Sequence, residues 1–228
     1  MDLNQTCKTC KFRSHLFDKL TDEELGYVYK NKKTSPIKKG NLIVKSGEPI
    51  REFIYLVDGL VKLQKIGSKG KEQIITIARP MDFIGLLTVL SKDTYEYTIT
   101  ALTDSVVCRI DLAIVRKMLR ANGDFSLDVL RYISNTADNI INHTYSLNSK
   151  NLRGRIAMLL VEFSEKYFHS LEFTLPMSRK EIAEMIDMTP ENVIRIMSEF
   201  RKDGVINLRS KHVEIVNMAL LKKIRDLG

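Results

Sequence analysis

The sequence lacks any apolar run long enough to cross a membrane, and its opening residues, MDLNQTCKTCK, lack the apolar core of a secretory signal peptide. It has three cysteines, an odd number that argues against a disulfide framework. We therefore expect a cytoplasmic protein of bacterial type with no membrane partner.

Motifs of the common enzyme classes are also missing. The four histidines, His15, His143, His169 and His212, stand in neither a Ser/His/Asp-like nor a metal-hydrolase pattern, and no Gly-rich phosphate loop is present. The sequence has no repeat and no low-complexity segment. We expect a protein that is not an enzyme.

The chain has 228 residues, enough for two small domains that each have a core. Its composition, with 44% hydrophobic and 28% charged residues, is ordinary for a globular protein. The net charge of +8 suits a polyanionic partner, although the charge is not concentrated in one part of the chain.

Residues 178–204 predict two short helices joined by a tight turn. Ser178 and Glu181 form a capping box, Thr189 is a good N-cap followed by Pro190 at the first helical position, and Gly204 is placed to end the second helix. Apolar residues recur at helical spacing in both segments: Ile182, Ala183, Ile186, Val193, Ile196, Met197 and Phe200. The pattern is typical of a helix-turn-helix, although a capped helical hairpin with a solvated charged face is an alternative.

The outward face of the second helix carries Glu191, Asn192 and Arg195 near its N-terminal end. Groove-reading residues cluster at that end of a recognition helix. Arg can bond guanine, Glu can accept from cytosine and Asn can pair with adenine. These three residues are our candidates for base reading.

Short β-type runs broken by glycines extend from Ile37 to Ile110 at intervals of about 8–12 residues, which predicts a β-roll or barrel. Thr21 and Glu24 form a capping box ahead of them, and Asp58-Gly59 is a hairpin signal. The expected strands are 42–45, 53–57, 60–65, 73–78, 97–102 and 106–110. Beyond them we expect helices at 112–119, 124–147, 152–168 and 218–227, a polar hinge at 147–151, and strands at 173–175, 205–208 and 213–216.

The long helix at 124–147 has a heptad-like seam that indicates a two-stranded coiled coil. An alternative is that this face packs on the β-roll of its own chain. The seam residues are Leu130, Ile133, Ala137, Ile140, Thr144 and Leu147.

The segment Arg209-Ser210-Lys211-His212 joins two short strands and predicts a wing with a basic tip, although a solvated turn explains the pattern almost as well. Candidates for phosphate contacts are Ser178, Arg179, Lys180, Thr189 and Lys211.

The stretch SRKEIAEMIDMTPENVIRIMSEFRKDGVI resembles the helix-turn-helix of the Crp/Fnr family of bacterial transcription regulators, with Glu191 and Arg195 on the family's base-reading positions. Asp187, Pro190 and Ile194 depart from the family pattern. The resemblance implies an α+β fold with an N-terminal double-stranded β-helix (β-roll) domain at 1–110, a dimerisation helix within 111–148 and a C-terminal winged helix-turn-helix at 149–228. It also implies a homodimeric regulator that binds double-stranded DNA and, if it is an activator, RNA polymerase.

The β-roll region resembles the family's cyclic-nucleotide-binding domain, with glycines at matching places: Gly40, Gly47, Gly59, Gly70 and Gly85. The family holds the cyclic phosphate with an Arg and the ribose with a Glu. Here Leu86 stands at the Glu position, Glu96 at the Arg position and Tyr97 at the neighbouring Ser position. Because a carboxylate repels a phosphate, we do not expect cyclic AMP to bind, and the small effector stays unidentified.

Cys7-x-x-Cys10 and Cys108 fall where the oxygen-sensing branch of the family holds an iron–sulfur cluster, and His15 is near its missing ligand. The alternatives are an incidental thiol pair and a buried structural Cys108. Cys7, Cys10, Cys108 and His15 are our candidate metal ligands. The rival hypothesis to a DNA-binding regulator is a redox- or metal-responsive module that acts through protein contacts.

Overall fold

The computed structural model describes Cys10, residues 13–67, Gly70 and residues 72–228. The described chain forms two compact units, of which the first reaches Ile140 and the second comprises Ile141–Gly228 with Glu72–Ile74. The expected α+β class is confirmed, with a β-roll, a long helix and a winged helix-turn-helix in that order. Within the described residues, no helix is both long and apolar enough to span a lipid bilayer.

The first unit begins with a 3-10 turn at His15–Lys19 and helix α1 at Asp22–Lys30. Thr21 accepts a hydrogen bond from the Glu24 N–H, and the Glu24 carboxylate accepts one from the Thr21 N–H. This capping box, predicted from the sequence, satisfies two backbone groups that the first helical turn leaves open.

Eight strands then form two four-stranded antiparallel sheets, ordered β1-β8-β3-β6 and β2-β7-β4-β5. The strands are β1 Lys32–Ile37, β2 Leu42–Val44, β3 Glu52–Asp58, β4 Val61–Ile66, β5 Glu72–Ala78, β6 Phe83–Ile84, β7 Thr98–Ala101 and β8 Ser105–Asp111. Gly59 follows β3 with φ of +88°, and a Cβ there would lie 2.3 Å from Ser105 Oγ. This turn therefore requires glycine both for its conformation and for its space. The hairpin predicted at Asp58-Gly59 is wrong, because β3 and β4 lie in different sheets and do not pair with each other.

Two of these strands were not predicted. β1 carries two lysines and Pro36, a composition that argues against a strand interior, yet it pairs with β8 from Lys32↔Ile110 to Ile37↔Ser105. It lies at the edge of its sheet, where a proline is tolerated because one side of the strand has no partner. β6 has two residues, too few to give a periodic signal.

The core of the first unit is formed by the sheets together with α2 Leu86–Val89, which lies between β6 and β7, and with α3 Leu112–Ala121 and α4 Gly123–Ser149, which follow β8. Phe17 from the N-terminal 3-10 turn packs edge-on against Phe83 and stacks with Phe125 of α4, at centroid distances of 5.7 and 6.4 Å. These contacts bury the N-terminal half of α4 against its own β-roll.

The predicted seam on α4 is split by the fold. Ile133 packs against the core of its own β-roll and Leu147 is buried, whereas Leu130 is 58% exposed. The remaining seam residues are half-buried or exposed: Ala137, Ile140 and Thr144. Ile133 therefore follows the alternative interpretation, in which this face of α4 packs on the β-roll of the same chain.

The second unit contains α5 at Leu152–Glu162, a π-helical turn at Phe163–Phe168 and β9 at Glu172–Thr174. The hinge expected at 147–151 is shorter in the structure, because α4 continues to Ser149 and only two residues separate it from α5. The unit continues with α6 Arg179–Met185, α7 Pro190–Lys202, β10 Ile206–Arg209, β11 His212–Ile215 and α8 Met218–Leu227. Its sheet is antiparallel with the order β10-β11-β9, so the hairpin packs as a wing beside the helices.

Candidate nucleic-acid interface

Helix α7 has one buried side and one exposed side. Thr189 caps it, accepting a hydrogen bond from the Asn192 N–H, and Pro190 occupies the first helical position as predicted. All four apolar residues predicted for its inner face are at most 1% exposed: Val193, Ile196, Met197 and Phe200. The opposite side presents Glu191, Ile194 and Arg195 to solvent, which is the arrangement that groove reading requires.

The turn before α7 is held in a left-handed conformation. Asp187 has φ of +47°, and the Met188 N–H donates to the Ala183 carbonyl oxygen. Arg155 of α5 donates from Nη1 to the carbonyl oxygens of Ile186 and Asp187. These bonds satisfy carbonyl groups at the end of α6 and fix the turn from outside, a role that sequence reasoning missed.

Arg195 is a cation on the exposed face of α7, in the half of the helix that follows its N-terminus. Its Nη1 donates to Glu199 Oε1 at 2.6 Å, and its Nη2 donates to Asn192 Oδ1 at 3.3 Å. Two of the predicted base-reading residues, Asn192 and Arg195, are thus joined along one side of the helix.

Glu191 lies in the first turn of α7 and is exposed. Hydrogen bonds from its own backbone N–H and from Thr189 hold the pKa of its carboxyl below the usual value. The group is therefore an acceptor at neutral pH, which is the form that pairs with the cytosine amino group.

The five phosphate candidates differ in their surroundings. Ser178 caps α6, Arg179 donates to the Ser210 carbonyl oxygen of the wing, and Lys180 pairs with Glu184 at 3.5 Å. Thr189 caps α7, and Lys211 is exposed at the wing turn. Ser178 and Thr189 stand at helix N-termini, where backbone N–H groups favour an anion.

Arg179 is more enclosed than its sequence position suggests. Burial lowers the pKa of its guanidinium, and its Nη1 is buried without a hydrogen-bond partner. Its bond to the Ser210 carbonyl oxygen is 2.9 Å long, and Ser210 itself has φ of +55°. Arg179 therefore supports the wing turn from α6.

The segment that follows β6 contains the positions where the resemblance would place a cyclic nucleotide, and its own residues are hydrogen-bonded to one another. The Tyr97 hydroxyl donates to the Gly85 carbonyl oxygen at 3.0 Å and lies 2.8 Å from Thr88 Oγ1. Leu86 is buried, whereas Glu96 lies near Lys65 and Lys92 on the surface. A hydrogen bond from Lys92 holds the pKa of Glu96 below its usual value, so this position carries a negative charge at neutral pH.

The described candidate metal ligands have different surroundings. Cys10 is half-buried and Cys108 is buried, and burial raises the pKa of the Cys108 thiol against smaller opposing effects of Lys32 and of a hydrogen bond with Thr34. His15 is exposed and its Nδ1 lies 3.2 Å from Asp18, and Cys7 lies outside the described residues. Within the described part of the chain, no three His, Cys, Asp or Glu side chains form a group that could hold a metal ion. The described donors therefore do not make up the set that an iron–sulfur cluster requires.

A β-roll joined by a long helix to a winged helix-turn-helix defines a class of DNA-binding regulators. Two family models match the chain: the cyclic nucleotide-binding domain at residues 35–122 and the Crp-like helix-turn-helix domain at residues 154–224. The protein belongs to the Crp/Fnr family of transcription regulators, and its helix-turn-helix is the DNA-binding part.

Known proteins that are similar to this one over most of its length support the family assignment. The fumarate and nitrate reduction regulatory protein of Vibrio cholerae is 27% identical over 210 residues, which are 90% of this chain and 83% of that protein. The anaerobic regulatory protein of Aggregatibacter actinomycetemcomitans is 26% identical over 223 residues, 96% of this chain and 84% of that protein. The structure of FixK2 from Bradyrhizobium japonicum has the same fold, with a TM-score of 0.77 and 21% identity over 85% of this chain and 96% of that one.

Proposed function

We propose that this regulator binds double-stranded DNA as a homodimer and reads sequence through Glu191, Asn192 and Arg195 of α7. One observation supports this proposal most strongly: the N-terminal half of α7 exposes an acid, an apolar side chain and a guanidinium on one side while its other side is buried. These groups match the acceptors, donors and thymine methyl groups of the major groove. The residues proposed to contact phosphates are Ser178, Arg179, Lys180, Thr189 and Lys211. We place the protein and its DNA in the cytoplasm.

In this proposal residues 1–110 sense a signal, residues 111–148 dimerise and residues 149–228 bind DNA. Dimerisation uses the exposed apolar face of α4, formed by Leu127, Leu130, Ile141 and Tyr145, which are between 52% and 75% exposed. These residues are three, eleven and four positions apart, so they share one side of the helix. The proposed face is therefore rotated from the seam predicted from sequence, although it keeps Leu130.

The test is a selection of duplexes from a randomised DNA library with the purified full-length protein, followed by gel shifts on a selected and a scrambled duplex. We expect a common sequence with two related halves about one DNA turn apart, because two recognition helices of a dimer are spaced by roughly 34 Å. Equal binding of selected and scrambled duplexes would contradict sequence-specific regulation. A role as an activator would also require RNA polymerase as a partner.

We further propose that the β-roll responds to an effector other than a cyclic nucleotide. The carboxylate of Glu96 and the apolar Leu86 offer neither the cation nor the acceptor that a cyclic ribose phosphate needs, and Tyr97 occupies its hydroxyl with Gly85 and Thr88. Cyclic AMP is expected to leave the melting temperature of the protein unchanged. A concentration-dependent rise would overturn this part of the proposal.

A second candidate is a redox- or metal-responsive module that acts through protein contacts. Its support is that two free thiols, the half-buried Cys10 and the buried Cys108, lie within the described residues. Metal content and the absorbance spectrum of protein purified without oxygen test it. A colourless and metal-free protein that shifts genomic DNA fragments would exclude a metal-dependent module without a DNA role.

A further inference from the structure

Four side chains of alternating charge form a row that links α5 to the recognition helix: Asp203, Arg153, Glu199 and Arg195. Asp203 Oδ2 accepts a hydrogen bond from Arg153 Nη2 at 2.8 Å, and Arg153 Nη1 donates to Glu199 Oε2 at 2.7 Å. The other carboxylate oxygen of Glu199 accepts the 2.6 Å bond from Arg195. Glu199 therefore joins two arginines, one on each of its oxygens.

The inner end of this row is well fixed. The Arg153 guanidinium lies over the Phe200 ring at 4.9 Å from its centroid, and Phe200 is fully buried. A hydrogen bond to Asp203, reinforced by one to Glu199, raises the pKa of Arg153. Partial burial opposes ionisation of Glu199, but the bonds from Arg153 and Arg195 outweigh it and lower its pKa. Glu199 is thus a carboxylate whose position is set from α5 and not by α7 alone.

We propose that Glu199 is a specificity-determining residue that positions Arg195 for base reading, and that Arg153 supports it; this inference rests on the proposed function. Arg195 has five N–H donors in a planar fork. Glu199 and Asn192 each occupy one of them, one on each terminal nitrogen, so that both nitrogens keep a second N–H. A fork held in this way loses less conformational freedom when it binds the two acceptors of a guanine.

A carboxylate on a DNA-reading helix is otherwise unfavourable, because it repels the phosphate backbone. Removing Glu199 therefore affects two measurable quantities differently. It weakens discrimination at the base pair that Arg195 reads, and it leaves binding to scrambled DNA unchanged or stronger. A merely structural role for Glu199 would instead lower both affinities together.

The experiment compares the full-length protein with its Glu199→Gln variant on duplexes taken from the randomised library. The position read by Arg195 is located first as the base pair whose preference Arg195→Ala relaxes. Affinities are then measured for the four base pairs at that position and for a scrambled duplex. We expect Glu199→Gln to reduce the preference for the best base pair by roughly tenfold, on the scale of one bidentate contact, without loss on the scrambled duplex.

Glu165→Gln is the matched control, since it removes the same charge in the second unit from a residue that pairs with Lys222. It should leave base preference unchanged. Arg153→Gln removes the hydrogen bond that holds Glu199 from the inner end of the row and should reduce the same preference to a smaller extent. This variant also keeps the inference testable if Glu199→Gln melts at a much lower temperature.

Three results separate the possibilities. If the unaltered protein enriches no sequence, the proposed function itself fails. If it enriches one and Glu199→Gln keeps the same preference, the positioning role of Glu199 is wrong. If Glu199→Gln sharpens the preference, Glu199 competes with DNA for Arg195, which also overturns the inference.

Discussion

Arg155 Nη1 lies 2.8 Å from the carbonyl oxygen of Asp187, which ties the start of α5 to the turn of the helix-turn-helix. The same guanidinium reaches the Ile186 carbonyl oxygen at 3.2 Å and, through Nε, that of Lys150 at 3.2 Å. The turn is occupied by an aspartate with φ of +47°, a conformation that glycine adopts more readily. Arg155 therefore stabilises a turn whose left-handed residue, Asp187, does not favour that conformation by itself.

We expect Arg155→Gln to loosen this turn. Hydrogen bonds to a charged group contribute about 1.5–3 kcal/mol each, and partial exposure reduces that, so the free energy of unfolding should fall by roughly 1–3 kcal/mol. Urea unfolding followed by circular dichroism measures the change. Arg155→Lys keeps the charge but loses the planar guanidinium, so its free energy of unfolding should lie between those of the parent and of Arg155→Gln. An unfolding curve like that of the parent would show that the turn is fixed by other contacts.

Met81 is a second residue in the left-handed region, with φ of +76° after Pro80. The Asp82 N–H donates to the Arg79 carbonyl oxygen, so the segment is a turn whose third residue is ordinarily glycine. Met81→Gly should raise the free energy of unfolding by about 1 kcal/mol, because it removes the strain and Met81 is 40% exposed. Thermal melting measures this. Met81→Ala is the control, since it shortens the side chain but keeps the Cβ, and should give no comparable gain.

The elements that sequence predicts best are those with a local physical cause. Ser178 and Thr189 set the helix starts by accepting hydrogen bonds from backbone N–H groups three residues on, and Pro190 fits the first helical position because it has no N–H to satisfy; the structure keeps all three. The buried side of α7 follows from helical spacing alone. The final helix was also placed correctly, at Met218–Leu227.

The features that sequence misses depend on partners far along the chain. β1 is a strand because β8 supplies its hydrogen bonds, despite Pro36. Glu199 and Arg153 are 46 positions apart, so no local pattern could indicate that they meet. The surroundings of α4 depend on distant partners too, because Ile133 packs against the core of the β-roll whereas Leu127, Ile141 and Tyr145 are exposed.

The proposed dimer face on α4 can be distinguished from the sequence-predicted seam by charge substitution. Ile141 is 63% exposed on the proposed face, whereas Thr144 is an exposed residue of the predicted seam. Ile141→Asp should weaken dimerisation at least about tenfold, because a carboxylate is costly to bury in an apolar interface. Light scattering over a dilution series measures the molecular mass.

Thr144→Asp is the control for this experiment and should leave the dimer intact. The reverse result, with Thr144→Asp dissociating the dimer and Ile141→Asp leaving it whole, would restore the predicted seam. Loss of helix content in either variant, detected by circular dichroism, would identify misfolding instead of dissociation.

Arg195 and Lys211 offer a direct comparison between base reading and phosphate contact. Arg195→Ala should cost about 1–3 kcal/mol on the selected duplex and relax the preference at one base pair, because a bidentate contact to guanine is lost. Lys211, exposed at the wing turn, has no such partner in the proposal and should act through charge alone. Lys211→Ala is therefore expected to weaken all duplexes alike and to reduce the salt dependence of binding by about one phosphate contact.

Both variants are measured on the selected and scrambled duplexes over a series of salt concentrations. The two residues are exposed, so neither substitution should change the melting temperature appreciably. If Arg195→Ala weakens binding to both duplexes by the same factor, Arg195 contacts the backbone and Glu191 or Asn192 must read the sequence without it. If Lys211→Ala relaxes preference at a single base pair, the wing reads bases, and the division of roles between α7 and the wing is wrong.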